Sequence, residues 1–156
     1  MAGSVVRAAG EGKAFWMLGG LYEVKVGADE TDGAVTVMQM TIPPGAGAPP
    51  HTHPGGEIVN VLDGTLRYHI ADEVFEGGPG SVFHIPAGTL EYFEATGNVN
   101  LRIIATYLPG GIDQFFAEAG ETAPVRELPP PASEPPDFER IAAIGARYGM
   151  HISPPS

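Results

Sequence analysis

The sequence predicts an all-β protein, built as a sandwich or a barrel. Short apolar segments recur at a spacing of about 8–12 residues, as they do in antiparallel β folds. The 22 glycines and 16 prolines among the 156 residues lie largely between these segments. Turn residues placed in this way favour many short strands over a parallel α/β sheet.

The predicted strands follow from runs of apolar and β-branched residues and from alternation. The alternation is clearest in residues 65–70, where Leu66, Tyr68 and Ile70 share one face and Arg67 and His69 the other. The predicted strands cover residues 13–18, 21–26, 34–42, 58–62, 65–70, 73–76, 81–86, 91–95 and 100–107.

The last third of the chain changes to helical spacing. Residues 112–119 and 138–148 each place apolar side chains on one helical face, and the proline-rich residues 120–136 indicate an ordered wrap or a linker. Residues 1–12 are interpreted as a loose or swapped arm. We therefore expect one domain over residues 1–156, with a barrel at about 13–108 and a helical, proline-rich extension over 109–156.

Charge and composition limit the partners of the chain. With 8 basic and 19 acidic residues its net charge is −11, so no basic face is expected for a nucleic acid. The chain has no cysteine and no apolar run of the roughly 20 residues that a membrane span needs. We expect a cytoplasmic protein that binds a small molecule, with neither a nucleic-acid nor a membrane partner.

The residues with the clearest chemistry are His51, His53 and Glu57. Two histidines one residue apart point to the same face of a strand, and the Pro-Gly-Gly turn that follows lets Glu57 begin the next strand facing the same interior. Two neutral imidazoles and a carboxylate suit one divalent ion, either iron, manganese, nickel, cobalt or zinc. The sequence therefore predicts a metal site.

In this motif the sequence resembles the cupin superfamily. The first cupin motif is a glycine, five residues, His-x-His, three or four residues, a glutamate, six residues and a glycine. Gly45, His51, His53, Glu57 and Gly64 satisfy all of these spacings.

The second cupin motif is only partly present. It consists of a glycine, five residues, Pro-x-Gly, two residues, a histidine, three residues and an asparagine. Gly80, Pro86 and Gly88 match, whereas Glu91 and Ala95 occupy the histidine and asparagine positions. In the family that histidine is the fourth metal ligand. Three readings of Glu91 follow: it is a ligand itself, it is a general acid or base outside the ligand sphere, or the site binds metal weakly or not at all.

The resemblance extends over residues 13–149 to bacterial single-domain cupins related to quercetin 2,3-dioxygenase. It implies a jelly-roll barrel, commonly a homodimer, with the metal inside. The expected function is that of a non-haem metal-dependent dioxygenase acting with O₂ on a small aromatic or enolic substrate. His51, His53, Glu57 and Glu91 would hold the metal, and Glu57 and Glu91 would be catalytic. The alternatives are a metal-dependent polyketide cyclase or isomerase, and a non-catalytic cupin that binds a small molecule.

The other histidines receive simpler interpretations. His69 lies opposite the apolar face of its strand and is expected at the surface, and His151 lies in the C-terminal tail. His84 is flanked by apolar residues on both sides, so it is the one further candidate for the missing ligand.

Overall fold

The chain folds into two antiparallel β-sheets and two helices, in a computed structural model that describes residues 3–154. The strands are β1 (Ala14–Met17), β2 (Gly20–Val26), β3 (Thr36–Ile42), β4 (His51–Thr52), β5 (Gly56–Asp63), β6 (Thr65–Ile70), β7 (Glu73–Gly77), β8 (Val82–Ile85), β9 (Glu91–Thr96), β10 (Leu101–Leu108), β11 (Glu121–Thr122) and β12 (His151–Ile152). The helices are α1 (Ile112–Ala119) and α2 (Phe138–Arg147), and a 3₁₀ helix covers Ala28–Glu30.

The two sheets contain seven and five strands. The larger has the order β11-β1-β2-β3-β10-β5-β8 and the smaller β12-β4-β9-β6-β7, with every pair antiparallel. The predicted all-β fold is therefore confirmed. Within residues 3–154, neither helix is long and apolar enough to cross a membrane.

Alternation along the strands builds the core between the sheets. Met38, Met40 and Ile42 of β3 point inward and are buried, while the residues between them are only half-buried. Leu66 and Tyr68 of β6 are fully buried, as the alternation predicts. Because each strand gives one side of its pleat to the interior, polar residues on that side lie against apolar walls.

The C-terminal residues cover one end of this core. Phe115, Phe116 and Ile141 belong to the same apolar cluster as the strands. Gly145 lets the last strand approach α2 closely, because a Cβ atom at this position would lie 2.7 Å from Cδ1 of Ile152. Gly145 is thus the point of closest approach between α2 and β12.

The proline-rich segment is ordered against the larger sheet. Residues Glu121 and Thr122 pair with β1, and the indole Nε1 of Trp16 donates to the carbonyl of Glu127 at 2.8 Å. Arg126 reaches the buried Glu23 at 2.8 Å. Residues 121–127 of the segment predicted to be a wrap or a linker thus contact the larger sheet.

The N-terminal arm is attached to its own chain in the part that the structure describes, residues 3–12. Arg7 forms two hydrogen bonds with Glu30, at 2.8 and 3.0 Å, and Lys25 donates to the carbonyl of Ala8 at 3.0 Å. The predicted loose arm is therefore held by specific contacts, and residues 1–2 of the prediction lie outside the described range. The short strands β4, β11 and β12 were not predicted individually, since two residues carry no periodic signal.

Candidate metal centre

The four residues that the sequence singled out come together from both sheets, with His53 directly after β4. His51 of β4 lies opposite Glu91 of β9, and Glu57 of β5 lies opposite Tyr107 of β10. Between His53 and Glu57 the chain turns through Gly55. A Cβ atom at this position would lie 2.5 Å from the carbonyl oxygen of Leu108. A glycine is needed here because the turn packs directly on the β10 backbone.

The donor atoms of this cluster lie within one ion's reach of each other. One donor atom from each of His51, His53, Glu57 and Glu91 lies within 4.8 Å of the other three. Nε2 of His53 is 3.4 Å from Oε2 of Glu57. Nε2 of His51 is 3.7 Å from Oε1 of Glu91. All four residues are buried, and Glu57 and Glu91 expose only 4% and 1% of their surface.

The hydrogen bonds leave electron pairs directed at the centre of the cluster. Nδ1 of His51 is 2.7 Å from the carbonyl of Pro49, so it donates there and Nε2 presents a lone pair. This lone pair faces Nε2 of His53 at 2.9 Å. Among the described residues, Oε2 of Glu57 is the one buried side-chain oxygen or nitrogen without a hydrogen-bond partner. Unpartnered buried oxygens are rare in folded proteins, and a cation would satisfy this one.

Burial shifts the pKa values of all four residues so that the neutral form of each side chain is favoured. Burial, followed by the neighbouring His53, lowers the pKa of His51 to about 4. Burial lowers the pKa of His53 as well and raises that of Glu57. Burial and then the charge of Glu57 raise the pKa of Glu91 to about 8. Neutral imidazoles are the form that binds metals, and carboxylates this costly to ionise alone are stabilised by a bound cation.

The cluster therefore fits one divalent metal ion. Two imidazole nitrogens and two carboxylates form a buried donor set for a first-row metal, and Glu57 Oε2 is an acceptor with no competing partner. The identity of the ion is not fixed by these donors. His84, the remaining candidate ligand, is exposed on β8 and does not join the cluster, so that alternative was wrong.

Tyr68 is a member of the site that the motif did not reveal. Its hydroxyl group donates to Oε1 of Glu91 at 2.7 Å, and its side chain is fully buried. The alternation in β6 does place Tyr68 inside. The contact with Glu91 depends on the pairing of β6 with β9, in which Tyr68 lies opposite Phe93. Glu91 lies two residues before Phe93 on the same face of β9, within reach of the Tyr68 hydroxyl group.

Two cavities lie beside the cluster. The first chamber has a volume of about 50 Å³ and is lined by all four donor residues and by apolar side chains that include Met40, Phe93 and Phe116. The second chamber has a volume of about 290 Å³, and of the four donor residues only His53 lines it, together with Gly55, Gly56, Gly110 and Gly111. His53, Tyr107, Ile112 and Met150 form the wall that the two chambers share. Neither lining includes a lysine or an arginine.

Comparison with known proteins supports the resemblance to cupins. A family model described as "Cupin domain" matches residues 38–107, a range that contains all four donor residues. This match supports a small protein of the cupin superfamily. A germin-like protein of Ipomoea nil is 38% identical over 71 residues, which are 42% of this cupin and 33% of the germin-like protein. This cupin thus matches about one third of the length of that relative.

Solved structures agree with the fold. A predicted oxalate decarboxylase of Thermotoga maritima superposes with a TM-score of 0.61 and 22% identity, over 67% of this cupin and 99% of that protein. An RmlC-like cupin of Shewanella frigidimarina gives a TM-score of 0.60 at 15% identity, over 73% of this cupin and 99% of the other. Oxalate decarboxylase of Bacillus subtilis gives 0.59 at 19% identity, over 70% and 31%. At these identities the likeness concerns the fold alone.

Proposed function

We propose that this cupin is a metal-dependent oxygenase that acts with O₂ on a small, weakly acidic aromatic or enolic molecule. The observation that carries the proposal is that the His51–His53–Glu57–Glu91 cluster lines a chamber whose other walls are mostly apolar. A ligand that fits has one polar end, directed at the cluster, and an apolar remainder. O₂ is itself apolar and partitions into such an environment.

The absence of cationic side chains from both chamber linings argues against oxalate as the substrate. Oxalate is a dianion, and moving it into an apolar chamber beside two carboxylates costs several kcal/mol per charge unless cations compensate. A phenol or an enol enters uncharged and loses one proton only at the cluster. The oxalate decarboxylase structures therefore support the fold, whereas the lining of the chambers favours a different substrate.

The residues of the site have different roles in this reaction. His51, His53, Glu57 and Glu91 would hold the metal, which when bound supplies Lewis acidity toward a substrate oxygen and, as iron or manganese, redox capacity. Glu57 accepts the hydroxyl proton of the substrate on the carboxylate oxygen that is not bound to the metal. Tyr68 keeps Glu91 oriented through the hydrogen bond to Oε1. The apolar walls exclude water from the deprotonated substrate.

Elemental analysis combined with O₂ uptake tests this function. Wild-type protein and the His53→Ala and Glu91→Gln variants are compared, with His84→Ala as the matched control because His84 is an exposed histidine outside the cluster. We expect about one metal ion per chain in the wild type and in His84→Ala, and loss of the ion in His53→Ala, because this substitution removes one of the four residues that would hold it. Retained metal with lost turnover in Glu91→Gln would identify Glu91 as a proton-transfer group, and lost metal would identify it as a ligand.

The substrate side of the test uses protein reconstituted with Fe²⁺, Mn²⁺, Ni²⁺, Co²⁺ or Zn²⁺ and a panel of phenols and enols, with oxalate as a comparison. Metal-dependent O₂ uptake with a phenol or an enol supports the proposal. Conversion of a substrate without O₂ uptake would indicate a cyclase or isomerase, and stabilisation by ligand without turnover would indicate a binding cupin. The expected homodimer and the expected cytoplasmic location stay predictions.

A further inference from the structure

We infer that Leu18 limits the size of the substrate, because a molecule with a ring enters the first chamber only when this side chain gives up its place. The inference rests on the proposed function, since it assigns a size limit to the substrate of the same site. Two observations support it: the small volume of the first chamber and the backbone conformation of Leu18.

The first chamber is too small for an aromatic ring. A buried cavity of about 150 Å³ accommodates benzene, whereas the first chamber has a volume of about 50 Å³. A ring whose hydroxyl group reaches the donor cluster therefore needs space that a lining residue occupies. Residues that are packed on all sides do not yield easily, so the space has to come from the half-buried part of the lining. The half-buried lining residues are Met17, Leu18, Ala48, Pro49, Ile112 and Ile152.

Leu18 is the residue of this set that is best placed to move. Among the long side chains, Met17 is carried by β1, Ile112 by α1 and Ile152 by β12. Displacing any of these would disturb the hydrogen bonds of a helix or a strand. Leu18 is carried by the turn between β1 and β2, so its side chain can move without breaking a strand pair.

This turn holds Leu18 in a backbone conformation that seldom takes a leucine. Met17 pairs with Gly20, so Leu18 and Gly19 form a two-residue turn. Their φ angles are 49° and 82°, and turns with positive φ at both positions favour asparagine, aspartate or glycine. The leucine gives up this local preference, and its side chain lines the chamber and packs against the apolar core. Strained residues of this kind concentrate at functional sites.

A ring that displaces Leu18 binds less tightly than one that enters an open chamber. The apparent affinity is reduced by the small fraction of the protein in which the side chain has moved away. Glycine at position 18 removes the side chain, and it also suits the turn because glycine adopts positive φ without strain. Leu18→Gly is therefore expected to fold and to bind ring compounds more tightly than the wild type.

Binding of catechol and of the larger 2,3-dihydroxynaphthalene, measured without O₂ on Zn²⁺-reconstituted protein, tests the inference. We expect Leu18→Gly to bind catechol at least about tenfold more tightly than the wild type, and the larger diol to gain more. Tighter binding separates a steric role from a merely structural one, because lost packing alone does not strengthen binding.

Ala71→Gly is the matched control for the change in the turn. Ala71 has a φ of 52° in the two-residue turn between β6 and β7, and it does not line the chamber. This variant should leave both affinities within about twofold of the wild type, since it relaxes a turn of the same length without opening the chamber.

A measurement on the wild type does not depend on how the variants fold. Either diol should perturb the methyl NMR signals of Leu18 more than those of Leu62, a leucine of β5 that is 40% exposed and lies outside the lining. Leu18 signals that do not change in a diol complex would show that the ring does not reach this side chain, and would overturn the inference.

Equal or weaker binding of both diols by Leu18→Gly would also overturn the inference, as would failure of the diols to bind either protein. Because binding is measured without turnover, the two proposals can fail separately. Tighter binding by Leu18→Gly without O₂ uptake with any metal would refute the proposed oxidation and leave the role of Leu18 intact. O₂ uptake with unchanged affinities would refute the role of Leu18 and leave the oxidation intact.

Discussion

Ionisation of Glu91 is expected to make the metal-free protein less stable as the pH rises. Its pKa rises from the ordinary value of 4.5 to about 8 because the carboxyl group is buried beside Glu57. In the unfolded chain the group loses its proton above about pH 4.5, whereas the folded protein keeps it until about pH 8. Between these values the unfolded state binds fewer protons, so the free energy of unfolding falls with increasing pH, and below pH 4.5 it is not reduced.

The size of this effect follows from the two pKa values. Each pKa unit corresponds to about 1.4 kcal/mol, so the interval from 4.5 to about 8 amounts to about 5 kcal/mol. Relaxation of the site and entry of water reduce the penalty of a buried charge, and we expect Glu91 to contribute a loss of about 2–4 kcal/mol between pH 5 and pH 8. The lowered pKa values of His51 and His53 act in the opposite direction below about pH 6.5, so the contribution of Glu91 is taken as the difference between the wild type and Glu91→Gln. Glutamine at position 91 has the shape of the protonated acid and cannot ionise. Glu91→Gln should therefore remove most of the loss.

Urea unfolding of the metal-free protein at pH 5 and pH 8, in the presence of EDTA, measures this difference. Glu94→Gln is the matched control, because Glu94 is on the same strand but faces outward and pairs with Arg67 at the surface. The control should lose as much stability as the wild type. If Glu91→Gln also loses as much between pH 5 and pH 8 as the wild type does, Glu91 does not keep its proton in the folded protein and the reasoning is refuted.

Two other variants test contacts on opposite sides of the fold. Tyr68→Phe removes the hydrogen bond that orients the carboxylate of Glu91. We expect the metal affinity, measured by competition with a chromophoric chelator, to fall about 10–100-fold in this variant and to stay unchanged in the control Tyr92→Phe. Arg126→Ala leaves the buried carboxylate of Glu23 without its positively charged partner and should lower the free energy of unfolding, measured by urea denaturation, by about 1–3 kcal/mol. Arg67→Ala breaks only exposed ion pairs and should lower it by less than about 1 kcal/mol. Equal metal affinities for the two tyrosine variants, or equal stabilities for the two arginine variants, would contradict these assignments.

Much of the site could be predicted because its residues are close in sequence. His51, His53 and Glu57 lie within seven positions, and strand alternation with one turn suffices to place them on one face. Glu91 could be predicted as an inward carboxylate because it shares a strand face with Phe93. The roles of Tyr68 and of the last strand could not. They depend on which residues face each other across neighbouring strands, and that register comes from packing of the whole sheet.

The glutamate at position 91 connects the charge of the site with the substrate it favours. A dication held by two histidines and two carboxylates has a net charge of +2 − 2 = 0, whereas the three-histidine, one-glutamate set of the cupin motif leaves +2 − 1 = +1. The chamber contains no lysine or arginine, so a metal centre of net charge 0 attracts a dianion less strongly than a centre of net charge +1 does. The neutral centre still accepts an uncharged acid that gives up one proton. Burial makes the two carboxylates costly to ionise without a cation, so the same apolar walls favour metal binding and an uncharged substrate. Replacing Glu91 by histidine should therefore move the preference of the site toward anionic ligands such as oxalate.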